Sequence, residues 1–170
     1  MGTSGSVHRP PIVHHPAYSV PLPAGHRFPM GKFAALAATL EARGLLGDRN
    51  RVTPEPADPD RLGLAHDRAW VEAVLAARVD PAAERRLGLP VSPAVAARAR
   101  AAAGGTLAAA RLALEHGLAL NTAGGSHHAF RDGGAGFCVF NDLAVTALTL
   151  LAEGRVRRLL VLDLDVHQGD

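Results

Sequence analysis

Four consecutive aliphatics, Leu159, Leu160, Val161 and Leu162, run straight into the acids of LDLDVHQGD, and this junction restricts the fold more than any other stretch. A run without polar alternation suits a parallel strand covered on both faces, so the pattern predicts a strand over 157–162. Open parallel sheets gather their ligands beyond the carboxyl ends of their strands. Asp163, Asp165, His167 and Asp170 would stand at such an end. On an extended backbone Asp163, Asp165 and His167 alternate with Leu164 and Val166, so the three share one face. A carboxylate and an imidazole two residues apart can reach one metal ion, and zinc accepts that mix of oxygen and nitrogen. A single Asp here would read as a cap for the next helix. Several buried charges are too costly without a cation.

A second strand is expected over 118–122, and it leaves into GGSHH. Gly124 and Gly125 let the backbone turn sharply, and His127 and His128 follow in tandem. A histidine acting as a base needs an acceptor on its other nitrogen. Asp163 and Asp170 are the acceptors at hand if the two loops are neighbours.

Elsewhere the chain alternates strand and helix signals. PIVHHP is a first strand between prolines. Phe33, Leu36, Ala37 and Leu40 recur at helical spacing over 32–43, with Gly44 as a stop. A short strand is expected over 51–53. Asp67 suits the cap of a helix that buries Trp70, Val71, Val74 and Leu75 on one face. Ser92-Pro93 opens a long alanine-rich helix over 93–116, in which Gly104-Gly105 marks close packing. Asn141 or Asp142 caps a last helix with a stripe of Leu143, Ala147, Leu150 and Leu151. The proline-rich segments around 51–67 and 79–93 read as loops. This alternation implies an α/β fold, a doubly wound, mainly parallel sheet in three layers. Residues 1–10 read as a disordered lead-in and 11–170 as the domain.

Composition excludes several functions. Eighteen basic residues stand against sixteen acidic ones, and the arginines are scattered rather than clustered, so no nucleic-acid surface is expected. No apolar run approaches a membrane span. A single cysteine, Cys138, rules out an internal disulfide framework and fits a reducing cytoplasm. Cys138 lies between Phe137 and Val139 and reads as a packed thiol, not a nucleophile. His14-His15 reads as structural or near an entrance, His26 as a residue of a proline-rich loop, and His66 and His116 as surface or packing residues.

GGSHHA, GFCVFND and DLDVHQGD together resemble the zinc-dependent histone deacetylase family of the arginase/deacetylase fold, in particular bacterial members similar to the smallest eukaryotic class. HHPAYSVPLPAGHRFPM resembles the family's entrance segment, and LAHDRAWVEAVL its H-x-x-x-[YW]-V helix start. The resemblance implies hydrolysis of an N-acetyl amide, acetyl-lysine or acetylpolyamine in type, to amine and acetate. It implies Asp165 and His167 as zinc ligands. It makes His128 the general base, oriented by Asp170, and His127 its electrostatic companion, paired with Asp163. The Gly136 carbonyl would accept the substrate amide, and Phe137 would wall the acyl tunnel. Asp163, Asp165 and His167 would also lend oxygens to a potassium ion.

The resemblance further implies a third zinc ligand, an aspartate, and an oxyanion-stabilising tyrosine, for which no residue here matches. The chain is therefore expected to be the N-terminal part of a longer catalytic domain, truncated on its C-terminal side and inactive alone. Two other readings stay open: a ureohydrolase with a two-manganese cluster, and an inactive deacetylase-like binding module.

Overall fold

The computed structural model describes residues 9–170. The lead-in expected over 1–10 lies outside the described residues up to position 8. Three short parallel strands form the sheet: β1 Ile12–Val13, β2 Arg51–Val52 and β3 Leu120–Asn121, in the order β2-β1-β3. Ile12 stands between Arg51 and Leu120, and Val13 between Val52 and Asn121. Each parallel step is bridged by helical segments, as parallel connections require.

Among the described residues there are six α-helices: α1 Lys32–Ala42, α2 Pro59–Ala65, α3 Arg68–Leu75, α4 Pro81–Leu87, α5 Pro93–His116 and α6 Asp142–Ala152. Ile12 packs with Ala37 and Leu46 beneath α1, while α5 packs against β1 and β3, with α6 beyond it. Helices thus lie on both sides of the strands. The main core joins Tyr18, Leu62, Trp70, Val74, Leu87, Val95, Ala102 and Val145, from five helices and the turn after β1. Two glycines let α5 approach so closely. A Cβ on Gly104 would overlap the Glu55 carbonyl, and one on Gly105 the Tyr18 hydroxyl.

Several expectations need correction. α2 and α4 were expected to be loops. Each opens on Asp-Pro, where the Asp58 and Asp80 carboxylates accept amides of their first turns. Proline at the first helical position lacks only a donor that would have no partner anyway. The strand expected over 157–162 does not form, because apolar sequence alone supplies no backbone partner. No ladder bond joins it to β3, and Leu160 and Leu162 are 89% and 78% exposed. The sheet therefore has three strands among the described residues, not four. On α6 the buried face carries Val145, Thr146, Thr149 and Leu150, rotated from the expected stripe, and Leu151 is exposed. The rotation turns Asp142 inward. Asp67 stands at the start of α3, but its side chain makes no cap bond.

Candidate active site

The turn that leaves β3 is held by one buried carboxylate. Asp142, 1% exposed, accepts the Gly125 amide at 3.0 Å and the Ser126 amide at 2.7 Å, and it also accepts the Thr106 hydroxyl. Asn141, not Asp142, caps α6 through the Ala144 amide. The positive end of the helix favours a carboxylate at this point. Gly124 has φ +103°, and a Cβ there would stand 2.5 Å from the Asp142 carboxylate, so only glycine suits this position.

His127 and His128 follow, their ring centroids 4.2 Å apart. His127 Nδ1 lies 2.7 Å from Asp163 Oδ2, and His128 Nδ1 lies 2.9 Å from Asp170 Oδ2. Ionised carboxylates only accept. Each ring therefore carries a proton on Nδ1, which leaves Nε2 as the nitrogen that can accept in the neutral tautomer. The Asp170 amide also donates to the His127 carbonyl at 3.0 Å, which ties the two segments by backbone as well.

The segment 163–170 is built from local bonds. Asp163 accepts the amide of Asp165, and Asp165 accepts the amide of His167. Asp165 Oδ1 lies 2.9 Å from His167 Nδ1. The amide N–H of Asp165, then the His127 ring, hold the Asp163 carboxyl below the usual carboxylate range. The His167 amide and ring do the same for Asp165. These polar groups face the histidine pair, and Leu164 and Val166 turn outward at 87% and 91% exposed.

His127, His128, Asp165, His167, Gly136, Phe137 and Cys138 line one cavity of about 390 Å³. Asp163 and Asp170 do not line it but brace the two imidazoles from behind. Gly136 and Phe137 both have positive φ, +52° and +68°. A bulky residue with that backbone persists only where its surroundings fix it. Here the Phe137 amide donates to the Leu87 carbonyl at 2.8 Å, and its ring meets Phe28 at 4.9 Å. A Cβ on Gly136 would come within 2.7 Å of the His128 ring, so glycine at this position lets the imidazole sit flush.

Four other described histidines do not line this cavity. His14 is buried against the Thr122 hydroxyl, His15 accepts the Ala17 amide, and the His26 ring lies edge-on to Phe137. His66 is not a surface residue: it is 1% exposed, with both ring nitrogens hydrogen-bonded. Burial pushes the Cys138 thiol up, which disfavours the thiolate a nucleophile needs. Asp142 was seen in the sequence only as a cap, and Lys32 and Arg98, which also line the cavity, were not singled out. No periodicity or motif signals such residues, because distant elements bring them in.

The donor chemistry of Asp165 and His167 fits zinc. Two ligands bound at about 2.0 Å to one ion stand roughly 3 Å apart, close to the 2.9 Å seen here. Among the described residues no group of three or more His, Cys, Asp or Glu side chains is placed to hold a metal ion. No described helix is long and apolar enough to cross a membrane.

Comparison with known proteins bears on the family and the fold. The histone deacetylase domain family matches residues 26–170. An uncharacterized Picosynechococcus protein is 48% identical over 94% of this chain and 53% of its own length. The acetoin utilization protein AcuC of Bacillus subtilis is 38% identical over 72% of this chain and 34% of its own. In fold, the chain superposes with a TM-score of 0.72 on a solved histone deacetylase homologue crystallised with SAHA, at 23% identity, covering 86% of this chain and 42% of that one. The chain thus spans about half the length, or less, of the relatives it matches. Its two histidine–aspartate pairs lie within residues 26–170, and the chain belongs to the histone deacetylase domain family.

Proposed function

We propose that this chain supplies the base and part of the metal site of an amide hydrolase that removes acetyl groups from acetyl-lysine or small acetylated amines. The observation that carries the reading is the braced histidine pair, His127 on Asp163 and His128 on Asp170, lining one cavity with Asp165 and His167. Asp165 and His167 would hold zinc; when bound, zinc supplies Lewis acidity that polarises a carbonyl and acidifies water. Asp163, with backbone oxygens of its segment, offers hard donors suited to potassium.

His128 Nε2 takes a proton from water as the water oxygen attacks the acetyl carbon. Asp170 keeps the Nδ1–H tautomer that leaves Nε2 basic, and it stabilises the imidazolium that forms. His127, braced by Asp163, lends a second nitrogen and charge beside it. The Gly136 carbonyl accepts the substrate N–H, and Phe137 confines the acyl-bearing chain. When the C–N bond breaks, the proton on His128 passes to the nitrogen, which leaves as the neutral amine; the remaining proton of the acetic acid product then passes to that amine, giving ammonium and acetate. Family membership over residues 26–170 favours this reading over a two-manganese ureohydrolase. The free thiol of Cys138 suits a reducing, cytoplasmic setting.

Two protein donors make an incomplete zinc site, so the chain by itself is proposed to hydrolyse little. The test is a chimaera that joins it to the part of the Picosynechococcus relative it does not match. Zinc-loaded chimaera should release acetate from an acetyl-lysine peptide or an acetylpolyamine, and His128→Asn should lower that rate by about 10²-fold or more. No release by a folded chimaera would leave a binding module as the better reading, and release indifferent to His128 would overturn its role as the base.

A further inference from the structure

His66 is the first residue of the HDRAW stretch, and its ring has two backbone partners whose roles are fixed. The Asn141 amide can only donate, and it reaches Nε2 at 2.9 Å. The Phe130 carbonyl can only accept, and it lies 2.7 Å from Nδ1. The ring is therefore neutral with its proton on Nδ1. Those partners are the two ends of the loop 130–141, which carries Gly136 and Phe137. The residues after His66 grip the same loop. The Asp67 amide donates to the Arg131 carbonyl at 2.8 Å, Arg131 Nε donates to Asp67 at 2.8 Å, and Trp70 Nε1 donates to the Val139 carbonyl at 3.0 Å. This also explains why Asp67 does not cap α3.

We propose that His66 is a positioning residue of the active site: its neutral ring closes the 130–141 loop at both ends and so fixes where Gly136 and Phe137 stand. The role assigned to those two residues rests on the deacetylase reading, but the closure itself does not. The loop needs such closure. Positive φ at Phe137 stores strain that relaxes once the ends part. Asn141 also caps α6, so the same bond couples the loop to the helix that presents Asp142.

Protonation would remove the acceptor on Nε2. Burial chiefly lowers the ring's affinity for a proton. The Phe130 and Arg131 backbone and the Asp67 charge act in the opposite direction, and the Arg131 charge lowers it further. Phe140, which packs on the ring at 5.3 Å, is neutral. A histidine with a depressed folded pKa contributes support that is complete above its free value of 6.5. That support is lost as pH falls from there to the folded value.

Amide exchange and ¹⁵N resonances of the 170-residue chain, followed from pH 8 to 4, test the proposal. The wild-type ring should show the Nδ1–H tautomer. Protection of the Asn141, Gly136 and Phe137 amides should fall about tenfold as His66 titrates below 6.5. His66→Phe should keep the ring volume, lower that protection at all pH values and abolish the step. If His66→Phe does not fold, the wild-type titration decides alone. An Nε2–H tautomer, or loop protection that ignores the titration of His66, overturns the proposal. None of these readings involves metal or turnover, so a failure of the deacetylase reading would be seen separately.

Discussion

Asp142 and Ser126 are joined by a carboxylate–amide hydrogen bond of 2.7 Å, and through it the first turn of α6 sets the position of the histidine pair. Asp142→Ala would strand the Gly125 and Ser126 amides and the Thr106 hydroxyl. It should cost about 2 kcal/mol, since three part-buried donors lose a charged acceptor. Urea denaturation measures the loss. Asp142→Asn, which keeps an acceptor, should cost less. An Asp142→Ala chain as stable as wild type would contradict the anchoring role.

Gly136→Ala combines a positive φ with a Cβ only 2.7 Å from the His128 ring. The backbone alone should cost about 1–2 kcal/mol. The larger effect should fall on His128, whose ring must move off Asp170. Loss of the His128 Nδ1–H resonance is the expected signature. Unchanged His128 signals would mean the loop yields instead of the ring.

Asp163 provides a pH test. Its carboxyl sits below the usual range, through the Asp165 amide first and His127 second. Support from such a group is complete above the free value of 3.8 and disappears as pH falls through the folded value. Protection of the Asp165 amide should hold from neutral pH down to about that free value and vanish below it. Loss of protection near pH 6 would assign the contact to some other group.

Gly105→Ala probes the fold rather than the site. A Cβ there would meet the Tyr18 hydroxyl, which also donates to Asn121 of β3. Overpacking of this kind should cost about 1–3 kcal/mol or more, read as a lowered thermal midpoint. No change would mean that α5 does not lie as close to the Tyr18 turn as described.

The helices with clear apolar or alanine-rich spacing, α1, α3, α5 and α6, were legible because burial periodicity is written locally. α2 and α4 were not, although Asp58-Pro59 and Asp80-Pro81 repeat the signal of Ser92-Pro93 that opens α5. Proline was taken as a break where it marks a start. The aliphatic run 159–162 was overread, since a strand requires a neighbouring backbone that composition does not reveal. The residues that meet in the cavity were nameable because both motifs follow segments near one end of the sheet. Asp142 and His66 act through contacts 16 and 75 positions away, and no local pattern announces those.

The central claim is that Asp165 and His167 share a cation beside His127 and His128. Cobalt(II) titration of the 170-residue chain, followed residue by residue in NMR spectra, tests it most directly. Broadening should be strongest at Asp165 and His167, extend to His127, His128 and Gly136, and vanish in His167→Ala. Broadening centred on His14, His15 or His26, or equal in that variant, would contradict the claim.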